Sequence, residues 1–148
     1  MTLLDLIDKD MIKVPLLSTN KIDVINELID VYQKASSASP EIVEVLRKAV
    51  LDRECQGSTA MDNAIAIPHA KVSGLDKASV VIGVSRIGID FGGEEKSKVF
   101  FLVLTPYENP SEHIQLLASI AKFCSSTVIS RLMQGVHTKE DLYQLLIE

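Results

Sequence analysis

The stretch "KVFFLVLTP", Lys98–Pro106, constrains the fold more than any other. Every residue from Val99 to Leu104 is apolar. A strand sends alternate side chains to opposite faces, so a run that is apolar at every position is covered on both. The run predicts a central strand with helices above and below it.

The other elements fit around that strand. "SVVIGVSRI" is a second strand, with Val80, Ile82 and Val84 on one face. "AIAI", Ala64–Ile67, is a short one. "MIKVPL" is another, with Pro15 marking its end or an edge position. Residues 3–8 form a short helix. Thr19 is the expected cap of the next, where Ile22, Ile25, Leu28, Ile29 and Tyr32 recur at helical spacing to about Ala35. Ser39-Pro40 starts a third, which carries Ile42, Leu46, Ala49 and Val50 to about Arg53. "ECQGSTAMDN" reads as a loop or short helical turn. Pro110 and Ser111 open a helix with Leu116, Leu117, Ile120 and Cys124. Helices near Thr127–Met133 and Thr138–Ile147 follow, with Gly135 between them and Thr138 as a cap. The order is β-α-α-β-β-β-α-α-α. It does not alternate as a doubly wound fold would. It predicts an α/β class: one domain over residues 1–148, a mixed β-sheet flanked by α-helices on both faces.

A chain of 148 residues suits one core. The net charge is −5 and Lys and Arg are scattered, so no basic face is present for nucleic acid. No apolar stretch approaches the roughly 20 residues of a membrane span. The N-terminus "MTLLDLIDKDMIK" mixes acidic with apolar residues, unlike a signal peptide. The two cysteines, Cys55 and Cys124, make no CxxC pattern and read as reduced thiols. The expected location is the cytoplasm.

Chemistry points to two of the three histidines. His69 follows "AIAI" directly, at a strand end, where a scaffold can hold a side chain rigidly and still expose it. Pro68 lacks an N–H and stiffens the approach. A lone histidine after a strand is, by itself, more often an ordinary loop residue. His113 lies in the first turn of "PSEHIQLLASIAKF", on the same face as Leu116, Leu117 and Ile120. Near a helix N-terminus its imidazole is expected to be neutral, because the dipole there disfavours a cation. It reads either as a half-buried structural residue or as a partner that orients a second histidine. His137 sits in a turn and takes no role.

Arg53 and Glu54 end a helix just before "GSTAMDN". An arginine there is most often a solvated charge. Here it precedes Ser58 and Thr59 and leads into the His69 strand, and a guanidinium, hydroxyls and N–H groups are the parts of an oxyanion site. Rival chemistries lack their patterns. HExxH and zinc-finger spacings are absent, as is the G-x-S-x-G elbow of a hydrolase. "GIDFGGEEK" lacks the context of a dinucleotide loop, and no Walker sequence occurs. Cys124, on an apolar helix face, reads as a core residue. Two histidines, an arginine and hydroxyls, with no metal motif, suggest phosphate handled on a histidine.

These residues carry a resemblance. "LDREC…GSTAMDNAIAIPHAK", then a strand pair, then "TPYENPSEHIQLLASIAKF", resembles the enzyme IIA domain of the fructose/mannitol type. That is a component of the bacterial phosphoenolpyruvate-dependent phosphotransferase system, and the group includes nitrogen-regulatory members. The resemblance spans essentially the whole chain. It implies that His69 is the phosphoacceptor and that His113 lies beside it to orient it or bond phosphate. It implies that Arg53 clamps phosphate and that Ser58 and Thr59 bond phosphoryl oxygens. The implied donor is the phosphocarrier HPr. The implied acceptor is a cysteine of a IIB component, or else the domain acts as a regulator on a target protein. No nucleic acid is involved, and the membrane enters only through a IIC component. One position departs from the family pattern: Ala64 stands where the family usually has glycine, which bears on the local backbone.

Overall fold

The computed structural model describes Thr2–Glu148. A six-stranded mixed sheet lies between two helical layers. Its strands are β1 (Ile12–Leu16), β2 (Ala60–Met61), β3 (Ile65–Ala66), β4 (His69–Val72), β5 (Ser79–Ile89) and β6 (Ser97–Pro106). The helices are α1 (Leu3–Leu6), α2 (Lys21–Ser36), α3 (Pro40–Gln56), α4 (Pro110–Cys124), α5 (Thr127–Gln134) and α6 (Lys139–Ile147), with one 3-10 turn at Lys9–Met11.

The double-sided apolar run occupies the position it predicts. β6 is central, antiparallel to β5 on one side and parallel to β3 and β4 on the other. Phe100, Leu102 and Leu104 pack under α2 and α3, against Val24, Leu28, Leu46 and Val50. Val99, Phe101 and Val103 pack against Leu116 and Ile120 of α4 and against Met133 and Leu142. β1 forms one edge, and on the other side β2 covers β3 while β4 pairs only with β6. Pro15, after a cis Val14–Pro15 bond, sits on the β1 edge, where a missing N–H costs no ladder bond.

Several expectations need correction. The cap of α2 is Asn20, not Thr19: the Asn20 side chain accepts from the Asp23 N–H. Ile22 is 58% exposed, so the buried face of α2 is carried by Val24, Ile25, Leu28, Ile29 and Tyr32. α3 runs on to Gln56, and the segment read as a loop contains β2, an edge strand antiparallel to β3. Ala64 lies outside the strand. It and Asn63 have φ near +62° and +65°, a left-handed turn entering β3.

The strand that runs from "AIAI" into His69 is interrupted rather than ended. β3 and β4 both pair with β6 in parallel, Ile65 opposite Val99 and His69 opposite Val103. Between them the Ile67 N–H turns to the Thr59 carbonyl, and Pro68 has none. The Pro68 carbonyl still accepts from the Val103 N–H. His69 is thus the first residue of a resumed strand.

Candidate functional site

Odd-numbered residues from Ile65 to Lys71 share the α4 side of the sheet, while Ala66, Ala70 and Val72 face α2 and α3. This period-two pattern carries the His69 ring to the α4 side. Its Nδ1 lies 2.7 Å from the Ile67 carbonyl oxygen. A carbonyl can only accept, so Nδ1 holds the ring proton and Nε2 keeps its lone pair. Burial lowers the His69 pKa, and the Arg53 charge lowers it further, against the opposing effects of the Ile67 bond and Glu54. The ring is neutral at neutral pH and presents one nucleophilic nitrogen.

α4 starts at Pro110, capped by the Asn109 side chain, which accepts from the Glu112 N–H. Its first turn brings in His113, buried as its spacing predicts. The His69 and His113 ring centroids are 5.5 Å apart. His113 Nδ1 is hydrogen-bonded to the hydroxyl of Thr105, a fully buried residue of β6. Burial, followed by the charges of His69 and Lys71, lowers the His113 pKa to about 4. A neutral His113 carries one ring proton. Among the described residues the buried Thr105 hydroxyl has no other acceptor for its proton, so it donates to Nδ1 and the His113 ring proton lies on Nε2.

The other wall comes from the end of α3. Arg53 Nη1 donates to the Gly57 carbonyl at 2.8 Å. Arg53, Ser58, Thr59, Met61, His69 and Leu117 border an open cleft of about 250 Å³. The structure therefore gathers His69, Arg53, Ser58 and Thr59 at one cleft, with His113 beside His69. Both hydroxyls have acceptors within the protein. Ser58 Oγ donates to the Phe91 carbonyl, and Thr59 Oγ1 donates to Glu54 Oε1 at 2.6 Å. Lys71 is exposed, its Nζ 5.8 Å from the Tyr107 ring centroid.

Two participants are absent from the sequence reading. Thr105 continues the face of Val99, Phe101 and Val103, and a hydroxyl at the next step of an apolar face was the available signal. Glu54, given no role beyond its place at a helix end, is 6% exposed. Cys124 is buried and Cys55 exposed, both free thiols. Among the described residues no group of three or more His, Cys, Asp or Glu is placed to hold a metal ion, and no single helix is long and apolar enough to cross a membrane.

The family described as "Phosphoenolpyruvate-dependent sugar phosphotransferase system, EIIA 2" matches residues 5–148. The chain is 26% identical over 149 residues to a PTS system fructose-specific EIIABC component of Bacillus subtilis, covering 99% of this chain and 23% of that protein. It is 29% identical over 130 residues to a Nitrogen regulatory protein of Escherichia coli, covering 86% of this chain and 76% of that one. Among solved structures, Nitrogen Regulatory Protein IIA-Ntr from Neisseria meningitidis superposes with a TM-score of 0.84 at 22% identity, over 97% of each chain. A complex of enzyme IIAMTL and phosphorylated enzyme IIBMTL from Escherichia coli gives 0.77 at 22% identity, over 95% of this chain and 96% of that one. At these identities the structures speak for a shared fold.

Proposed function

The chain belongs to the EIIA 2 family of the phosphoenolpyruvate-dependent sugar phosphotransferase system, whose domains act as phosphoryl-transfer components, and from that membership we propose that His69 carries the phosphoryl group on Nε2. The observation that carries this reading is the Nδ1–H held on the Ile67 carbonyl, which leaves Nε2 as the nucleophile of a neutral ring.

The step balances ring for ring. Nε2 attacks phosphorus as the phosphorus–nitrogen bond of a donor phosphohistidine breaks, and the donor nitrogen takes back the electron pair. The donor's phosphoimidazolium becomes neutral imidazole. His69 becomes a phosphoimidazolium whose Nδ1–H stays on Ile67. Charge gathers on the phosphoryl oxygens during transfer. The Nε2–H of His113 and the guanidinium of Arg53 are the donors for it. Ser58 and Thr59, whose hydroxyl protons go to Phe91 and Glu54, shape the wall of the phosphoryl site. An open cleft admits a donor protein and then an acceptor, and holds the phosphoryl group without trapping it.

The donor we infer is HPr, and the acceptor a cysteine thiolate of a IIB component, both in the cytoplasm. The thiolate attacks phosphorus, and the Nε2 bond breaks. The likeness to an enzyme IIA solved together with a phosphorylated IIB supports that acceptor. The likeness to nitrogen regulatory proteins supports a second reading, in which phosphorylation of His69 controls binding to a target protein.

Intact-mass spectrometry after incubation with phosphoenolpyruvate, Enzyme I and HPr tests the site. One acid-labile phosphoryl group, absent from His69→Ala, is expected. Uptake of label by His69→Ala refutes the assignment. Pull-downs with and without phosphorylation separate the relay from the regulator, which gains or loses its partner with the phosphoryl group.

A further inference from the structure

We propose that Lys21, Glu54 and Thr59 are positioning residues, forming a buried brace that fixes the Arg53–Thr59 wall against His69; this rests on the reading of His69 given above.

Glu54, in the last turn of α3, is bound from three directions. Lys21 Nζ lies 2.8 Å from Oε2, the Thr59 N–H donates to Oε2 at 2.8 Å, and the Thr59 hydroxyl donates to Oε1 at 2.6 Å. The Glu54 side chain is 4% exposed and that of Lys21 28%. Lys21 is the first residue of α2, and it also donates to the Phe91 carbonyl at 3.2 Å. Ser58 Oγ donates to the same carbonyl and accepts from the Ala60 N–H at 3.0 Å. The loop after β5 closes the brace. Gly92 takes φ +92°, and a Cβ on Gly93 would lie 2.8 Å from Ala60 Cβ. Only a glycine at 93 fits so close to the wall.

The brace joins three elements at one point: the start of α2, the end of α3 and the loop after β5. It holds the residues on either side of Gly57, the carbonyl to which Arg53 is tied. An ion pair with its carboxylate buried is a weak source of stability, since desolvation offsets much of its attraction. What it provides is a fixed geometry. Phosphoryl transfer leaves the protein little covalent chemistry, so the rate depends on how accurately charge donors are placed.

The test uses phosphoramidate, a small donor that needs no partner protein. Nε2 of His69 attacks its phosphorus, the phosphorus–nitrogen bond breaks, and ammonia leaves. Phosphorylation is followed by intact mass for the wild type, Glu54→Gln, Thr59→Val and Thr59→Ser, each checked for folding by thermal melting. Removing a brace contact is expected to slow uptake by about 10- to 100-fold. Thr59→Ser keeps the hydroxyl and is expected to stay near the wild-type rate. A folded Thr59→Val that matches the wild type overturns the proposal. So does a Thr59→Ser as slow as Thr59→Val, which would trace the loss to the methyl group. If Glu54→Gln fails to fold, the two Thr59 variants decide. A wild type that takes no phosphoryl group on His69 defeats the reading of the site itself, and the brace with it; labelled wild type with unaffected variants defeats only the brace.

Discussion

The imidazole rings of His69 and His113 stand 5.5 Å apart, centroid to centroid, with their planes tilted by 51°. Burial disfavours a positive charge on either ring, and for His113 the neighbouring His69 adds to the effect. The pKa of both lies below the ordinary histidine value of 6.5, that of His113 at about 4. For a histidine, a folded pKa below the unfolded one means that the unfolded chain takes up protons first. The stability contributed by these neutral rings is complete above pH 6.5 and declines as the pH falls through about 4 for His113. Phosphoryl uptake from phosphoramidate should follow the same sign, staying level down to pH 6.5 and falling below it. A rate already halved at the ordinary histidine value near 6.5 would contradict a depressed His69.

Thr105→Val removes the hydrogen bond to His113 Nδ1 while nearly preserving shape. The His113 tautomer is then free, and its Nε2 proton is no longer fixed. Phosphoryl uptake should fall about 10-fold, less than the ~100-fold expected for losing a transition-state donor outright in His113→Ala. Rate measurements on both variants check the ranking. A Thr105→Val slower than His113→Ala would mean that the threonine acts by another route.

Ala64 adopts φ +62°, where an L side chain is strained and glycine is not. Its N–H accepts no alternative geometry cheaply: it donates to Glu95 Oε1, while its carbonyl takes the N–H groups of Lys98 and Val99. Ala64→Gly should therefore stabilise the protein by about 0.5–1 kcal/mol, the relief of strain exceeding the added freedom of the unfolded chain. Chemical denaturation measures this directly. A loss of stability would show that the strain is not there.

The two thiols should differ in reactivity. Cys124 is 3% exposed, and burial pushes its pKa up to about 12, whereas Cys55 is exposed. A chromogenic disulfide reagent should titrate one thiol in the native protein and two after denaturation. Cys55→Ser should abolish the native reaction. Two native equivalents would place Cys124 within reach of solvent.

The layers of the fold were legible wherever burial is periodic. Val80, Ile82 and Val84 face the α4 layer as their alternation predicts, and the unbroken run in β6 is covered on both sides. Ser39 and Thr138 cap their helices through their own side chains, a local signal. Asn20 replaces Thr19 because adjacent polar residues compete for a cap, and only one lies at the turn. At the site, residue type and order single out His69, His113 and Arg53 as candidates, while the roles proposed for them come from the family resemblance. Glu54 is not singled out. Its burial depends on Lys21 and Thr59 arriving from other elements, and no window of sequence around it contains Lys21. The Thr105–His113 bond is similar, joining a strand to a helix across a turn.

The gap between β3 and β4 has a metrical consequence. The offset that sets Ile65 opposite Val99 also sets His69 opposite Val103, so the chain crosses Ile67 and Pro68 without gaining or losing a step. Parity along a strand decides which face a side chain visits. One residue added or removed between Ala66 and His69 would turn the imidazole toward the α2 and α3 side and leave His113 facing Pro68 or Ala70. The motif is a ruler as much as a reagent: its length, even with every side chain kept, selects the side of the sheet on which chemistry can happen.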